Sequence, residues 1–286
     1  MKTTIRTIKP MLQPLLFLGL MQAVWIFAAA AQEATPSQPN EKAGYHIYGH
    51  AHNDYEHLRP LLDALDNRFY SVEADFWMMD KTLAVAHNKG ETIADYKGTL
   101  KELYLDPLQK RVDEHGSVHG DGLPFYLWLD IKDGRSEVHP VLHELLQNYS
   151  MLTVFTDSSV EAKPVTIILT GDHQSKSSFV EHYDERRVCR DSNFYQPDDP
   201  AADHKWQWYA LNWKSYIQWD GTGGIPKEQY QKLLSIVNTI HAKGKKVRFY
   251  STPDMSSYWD LALKTGIDHI NTDKLPELNT FLESKK

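Results

Sequence analysis

KEQYQKLLSIVNTIHAKGKKVRFYSTPDMSSYWDLALKTGIDHINT, residues 227–272, decides the fold class. Over 227–243, Tyr230, Leu233, Leu234, Ile236, Val237 and Ile240 recur at helical spacing, and Gly244 stops the helix. Val247-Arg248-Phe249-Tyr250 follows as a short strand. Residues 256–264 form a second helix that stops at Gly266, and Ile267-Asp268-His269-Ile270-Asn271-Thr272 is the next strand. Near-continuous apolar strands separated by amphipathic helices indicate a parallel sheet covered by helices.

The same alternation extends toward the N-terminus. His46-Ile47-Tyr48-Gly49 is a first strand, and 58–67 (LRPLLDALDN) a helix with Leu61, Leu62 and Leu65 on one face. Residues 69–75 form a second strand, and 82–87 a short strand after a turn at Asp80-Lys81. Strong strands follow at 125–131 (FYLWLDI) and 165–169, and weaker ones at Arg187-Val188-Cys189 and Tyr209-Ala210-Leu211-Asn212. Closure into a single-domain TIM-type (β/α)8 barrel is the α/β architecture that fits this number of units.

Length and composition agree. Residues 1–10 carry Lys2, Arg6 and Lys9 and no acid; a mostly apolar run then ends in Ala28-Ala29-Ala30-Ala31. That pattern predicts a signal peptide over 1–31, with export to the periplasm or the extracellular space. Residues 32–43 read as a polar linker and 44–286 as the barrel. Loss of the three cations would take the net charge from −7 to −10, which argues against nucleic acid or an anionic membrane as partner. No stable membrane insertion is expected after cleavage, and a monomer is expected. Cys189 is the only cysteine, so no disulfide forms within the chain.

The chemistry-bearing residues fall at predicted strand ends, where barrel active sites are built. Strand one runs into His50-Ala51-His52-Asn53-Asp54-Tyr55. Strand two ends in Glu73-Ala74-Asp75, the short strand in His87, and the next in Asp130-Ile131-Lys132. Glu73 and Asp75 share one face of a strand. Two carboxylates on one face need a cation between them, and hard oxygens suit Mg²⁺ or Ca²⁺. Asp130 offers a third carboxylate. Lys132, on the face of Asp130, either holds a phosphate oxygen or forms a structural ion pair. Histidines with near-neutral pKa values suit proton transfer to and from a phosphodiester.

These residues resemble the PLC-like phosphodiesterase superfamily of glycerophosphodiesterases, phosphatidylinositol-specific phospholipases C and sphingomyelinase D-like enzymes. Ala51-His52-Asn53-Asp54-Tyr55 is similar to the Ser-His-Asn-Thr-Tyr segment of the phospholipases, and Glu73-Ala74-Asp75 to the Glu-x-Asp metal pair. His87 falls where the second catalytic His is found. Leu129-Asp130-Ile131-Lys132 and 266–273 resemble later strand ends. The His-Asn-Asp-Tyr opening is similar to the altered inheritance of mitochondria protein 6 subgroup. The resemblance implies His52 and His87 as an acid–base pair, Lys132 beside the phosphate, and one Mg²⁺ or Ca²⁺ on Glu73, Asp75, Asp130 and Asn53. It also implies a small-molecule or lipid phosphodiester substrate.

Three alternatives stay open on sequence. Gly49-His50 is also similar to the sphingomyelinase D opening, with His50 catalytic. His50-x-His52 resembles the amidohydrolase opening, with His269 as a further ligand. The aromatic stretch Trp206, Trp208, Tyr209, Trp213, Tyr216 and Trp219 suits sugar or lipid stacking in a non-enzymatic barrel, or a loop capping the core. Residues 221–224 (GTGG) also offer a phosphate-cradling turn.

Overall fold

The structure, a computed structural model, describes residues 40–286. The predicted signal peptide and the linker through residue 39 lie outside the described residues. Eight parallel strands close into a barrel: β1 (Gly49–Ala51), β2 (Ser71–Met79), β3 (Phe125–Ile131), β4 (Val165–Gly171), β5 (Val188–Ser192), β6 (Trp206–Asn212), β7 (Lys246–Tyr250) and β8 (His269–Thr272). Each pairs with its sequence neighbour. Closure is made at β1, where Gly49 pairs with Ile270 of β8 and Ala51 with Val72 of β2.

Helices cover the outside: α1 (Leu62–Asp66), α2 (Asp106–His115), α3 (Val138–Gln147), α4 (His173–His182), α5 (Trp213–Tyr216), α6 (Lys227–Ala242), α7 (Ser256–Thr265) and α8 (Leu275–Glu283). None of the described helices is long and apolar enough to cross a membrane. Irregular chain over 193–205, with no helix, joins β5 to β6.

The strand period of two divides each strand between two cores. On β3, Phe125, Leu127, Leu129 and Ile131 pack outward against the helices, while Tyr126, Trp128 and Asp130 face the lumen. On β2, Val72, Ala74 and Phe76 go outward. Ser71, Glu73 and Asp75 therefore point inward, buried rather than spread along a solvated edge. Trp128, Ile168, Cys189, Trp208 and Ala210 fill the middle of the barrel. Trp128 and Trp208 meet edge to face at 5.2 Å, and His269 lies 4.6 Å from Trp208.

Several expected boundaries change. Residues Gly44–Tyr48 form a 3₁₀ turn, and the first strand begins only at Gly49. Leu61 and Leu65 are buried, but Leu62 is 45% exposed, because the helix is a five-residue turn starting at Leu62 itself. The short strand Thr82–Val85 is not a barrel strand. It folds back antiparallel on β2 through the predicted two-residue turn, with Asp80 and Lys81 both at positive φ. The aromatic stretch is not a capping loop. Trp206, Trp208 and Tyr209 belong to β6, and Trp213 is buried edge-on to Phe249 and Tyr258.

Candidate active site

Asp130, Lys132, Glu73, His52, Asn53 and His87 line one cavity of about 490 Å³, at the end of the barrel where β1 to β3 terminate. Of the residues expected to form the acid–base pair, the phosphate contact and the metal site, Asp75 alone does not line it. Asp75 lies one layer beneath, 1% exposed, and reaches the site through its carboxylate.

The hairpin explains how His87 arrives. Thr82–Val85 runs back along β2, and Ala86 N–H donates to the Asp75 carbonyl at 3.3 Å. His87 Nδ1 then lies 2.9 Å from Asp75 Oδ2, which also accepts the Tyr55 hydroxyl at 2.8 Å. His52 is held in a similar way from the other edge of the site. Its Nδ1 lies 2.9 Å from Asp273 Oδ1, beyond the end of β8. Each imidazole is thus tied through Nδ1 to a carboxylate, which leaves Nε2 for the cavity. Burial opposes charge on His52, but the Asp273 bond and the negative charges of Glu73 and Asp273 raise its pKa above the ordinary histidine value.

Glu73, Asp75 and Asp130 present carboxylate oxygens all within 4.8 Å of one another, the one such group of acids or histidines among the described residues. Lys132 Nζ lies 2.8 Å from Asp130 Oδ2 and 3.1 Å from Asp75 Oδ2. One ammonium does not satisfy the pair. Asp75 Oδ1 and Asp130 Oδ1 are both buried without a hydrogen-bond partner. Burial and the nearby Asp75 charge push the Asp130 carboxyl upward despite Lys132. Orphaned carboxylate oxygens at this density suit a hard divalent cation. Gly171 makes room for them, since a Cβ there would lie 2.1 Å from Asp130 Oδ1.

His50 is placed differently from His52. It is fully buried in the lumen, with Nδ1 2.7 Å from Ser71 Oγ and Nε2 3.2 Å from Glu73 Oε2. Burial and the Arg248 charge lower its pKa to about 3. His269 stacks on it at 5.8 Å, and burial holds it far below the ordinary histidine range. The ring nitrogens of His50, His52 and His269 form no metal-binding group among the described residues. The 221–224 turn is absent from the residues lining the cavity.

Two residues gained their roles only from the structure. Arg248 on β7 donates through both terminal nitrogens to Glu73, at 2.9 and 3.0 Å, and lies 4.2 Å above the Trp128 ring. Asp273 orients His52. An arginine between Val247 and Phe249 in an apolar strand was the available signal, because a buried guanidinium requires an acid partner.

Asp54 anchors the loop that carries His52 and Asn53. It is fully buried, accepting Leu61 N–H at 2.5 Å and the Tyr104 hydroxyl at 2.9 Å, while Oδ1 has no partner. Burial pushes its carboxyl up to about 7, against the two hydrogen bonds. Above the ordinary carboxyl range the unfolded chain has released this proton while the folded chain keeps it. Stability therefore falls as pH rises toward 7. In urea titrations at pH 4.5 and 7.5, the wild type should lose roughly 3 kcal/mol more than Asp54→Asn over that interval. Equal pH slopes would show that Asp54 is ionised in the folded chain.

The pattern that defines the AIM6-like phosphodiesterase domain matches residues 43–121. The chain is 30% identical over 277 residues to altered inheritance of mitochondria protein 6 of Saccharomyces cerevisiae, covering 82% of this chain and 69% of that protein. It is 29% identical to the protein of that name from Lachancea thermotolerans, over 80% of this chain and 64% of the relative, so it spans just under two thirds of that protein. The crystal structure of a glycerophosphodiester phosphodiesterase from Parabacteroides distasonis is similar in fold, with a TM-score of 0.53 and 15% identity, over 83% of this chain and 97% of that one. At that identity the likeness is one of barrel architecture alone.

Proposed function

The chain belongs to the altered inheritance of mitochondria protein 6 family, and from that premise we propose that it is an exported, metal-dependent phosphodiesterase working by two-histidine acid–base catalysis. One observation carries the reading. Two imidazoles, each tied through Nδ1 to its own carboxylate, face a cavity floored by three converging acids.

Glu73, Asp75 and Asp130 would hold one Mg²⁺ or Ca²⁺, and Asn53, which lines the same cavity, is the further candidate ligand. Such a cation neutralises charge on the phosphoryl oxygens. His52 Nε2 removes the proton from the attacking hydroxyl, of water or of the substrate itself, as the new P–O bond forms. The imidazolium that results is stabilised by Asp273. His87 delivers a proton to the leaving oxygen as its P–O bond breaks. Lys132, already against two of the acids, is positioned to meet a phosphoryl oxygen. The basic, apolar and Ala-rich pattern of residues 1–31 supports export. The substrate is a phospholipid or glycerophosphodiester-like molecule.

The test is hydrolysis by the chain from residue 32 onward across glycerophosphodiesters, lysophospholipids and inositol phospholipids. Each is assayed with chelator and then with Mg²⁺ or Ca²⁺ restored. Turnover should vanish in chelator and return with one of the ions. Turnover indifferent to chelator would remove the metal from the mechanism. A folded chain inactive on every diester would overturn the reading as a whole.

A further inference from the structure

Phe194 is 65% exposed, yet it lines the same cavity as His52, His87 and Asp130. It stands just past the end of β5, across the barrel from β1. An exposed phenylalanine on a floppy loop would carry no information. This one is held firmly. Ser192 Oγ accepts Phe194 N–H at 3.2 Å and donates to the Phe194 carbonyl at 2.7 Å. Tyr195 N–H donates to the Tyr216 hydroxyl at 3.1 Å. On the other side, Asn193 accepts from the ammonium of Lys176, which also meets Asp191 at 2.5 Å. Lys176 lies on α4 and has no exposed surface, so an outer helix commits a buried charge to fixing this strand end. His173, the first residue of α4, lines the cavity beside Phe194, edge-on at 6.0 Å.

The two walls of the cavity therefore differ. The β1 to β3 wall is ionic and suits a phosphate. The β4 to β5 wall carries no charged side chain on the cavity and presents the Phe194 ring, with His173 and Asn193 beside it. About 490 Å³ holds a phosphate together with part of a substituent, and Phe194, lining the cavity yet largely exposed, is where such a substituent meets an apolar surface.

We propose that Phe194, flanked by His173, is the subsite for an acyl-bearing arm of the diester, and that it makes the chain prefer acylated phosphodiesters to their deacylated counterparts. The inference rests on the phosphodiesterase reading above. A substrate whose apolar arm covers Phe194 removes both surfaces from water, whereas a deacylated diester leaves the ring as exposed as before.

A lysophospholipid at monomeric concentration is compared with the glycerophosphodiester of the same head group, using wild type, Phe194→Ser and Phe194→Leu. Thermal melts should be unchanged, since the ring is mostly in solvent. Phe194→Ser should lower kcat/KM on the acylated substrate about tenfold, mainly through KM, and alter the deacylated one by less than about twofold. Phe194→Leu should retain most of the preference. An equal loss on both substrates, or no loss on either, would overturn the assignment. So would a wild type that hydrolyses only the deacylated diester, and that result would leave the phosphodiesterase reading standing. A wild type inactive on every diester would instead remove that reading, and this inference with it.

Discussion

Replacing His52 or His87 with alanine will lower kcat/KM on a phosphodiester substrate by about a hundredfold or more, with the fold and thermal stability nearly intact. General acid–base catalysis is worth about 10²–10⁴ in rate, and both rings are partly exposed, so little packing is lost. The two variants should differ in one informative way. With a substrate whose leaving group is already a good one, such as a nitrophenol, protonation of the leaving oxygen matters less. Most of the lost rate should then return in His87→Ala and not in His52→Ala. The opposite pattern would exchange the roles of base and acid. Full activity in His52→Ala would place the base elsewhere. Asp273→Asn should act through His52 by removing the carboxylate that orients it, lowering kcat by less than the His52 deletion does and shifting the acidic limb of the pH profile.

Arg248→Met will cost about 3–5 kcal/mol of stability. Arg248 and Glu73 are 2% and 4% exposed, and both carboxylate oxygens of Glu73 accept from the guanidinium. Methionine preserves much of the volume beneath the Trp128 ring and leaves a buried carboxylate without its cation. The pH dependence follows. Burial raises the Glu73 pKa, but the charge of Arg248 and the His50 hydrogen bond hold it well below the ordinary carboxylate range. The pair's contribution is therefore present above the ordinary glutamate pKa and is lost as pH falls through the depressed folded value. The penalty in the variant should be largest near neutrality and shrink in acid, as measured by urea unfolding at pH 7 and at pH 4. A penalty under about 1 kcal/mol at neutrality would mean that the pair contributes little net stability, as buried pairs sometimes do.

The part of the site legible in the sequence came from single strands. Glu73 and Asp75 share a face because they are two apart, and that inference needs only the period of a strand. Asp130 and Lys132 follow the same rule on the next strand. Arg248 and Asp273 were not legible because their partners lie at positions 73 and 52, and only barrel closure brings β7 and β8 to β2 and β1. The middle of the chain, roughly 172–224, yielded only two weak strands for a different reason. Trp208 and Ala210 face the lumen while Tyr209 and Leu211 face outward, and a register shift against β5 turns Trp206 to pack with Tyr209, so bulky residues occupy both parities and no alternation shows. With no helix between β5 and β6, the usual helical period was missing as well. The strand at 46–49 was misplaced because its apolar residues belong to a 3₁₀ turn packed under the barrel.

Trp128, Trp208, Ile168 and His269 fill the barrel below the acids, which makes the site a blind well rather than a tunnel. If the chain cleaves a diester as proposed, both fragments must retreat through the opening by which the intact molecule arrived. A fragment still seated on the acids shuts out the next arrival, so accumulation of product would slow turnover by occupancy alone. A chain of this architecture is therefore best served by surroundings that carry its products away.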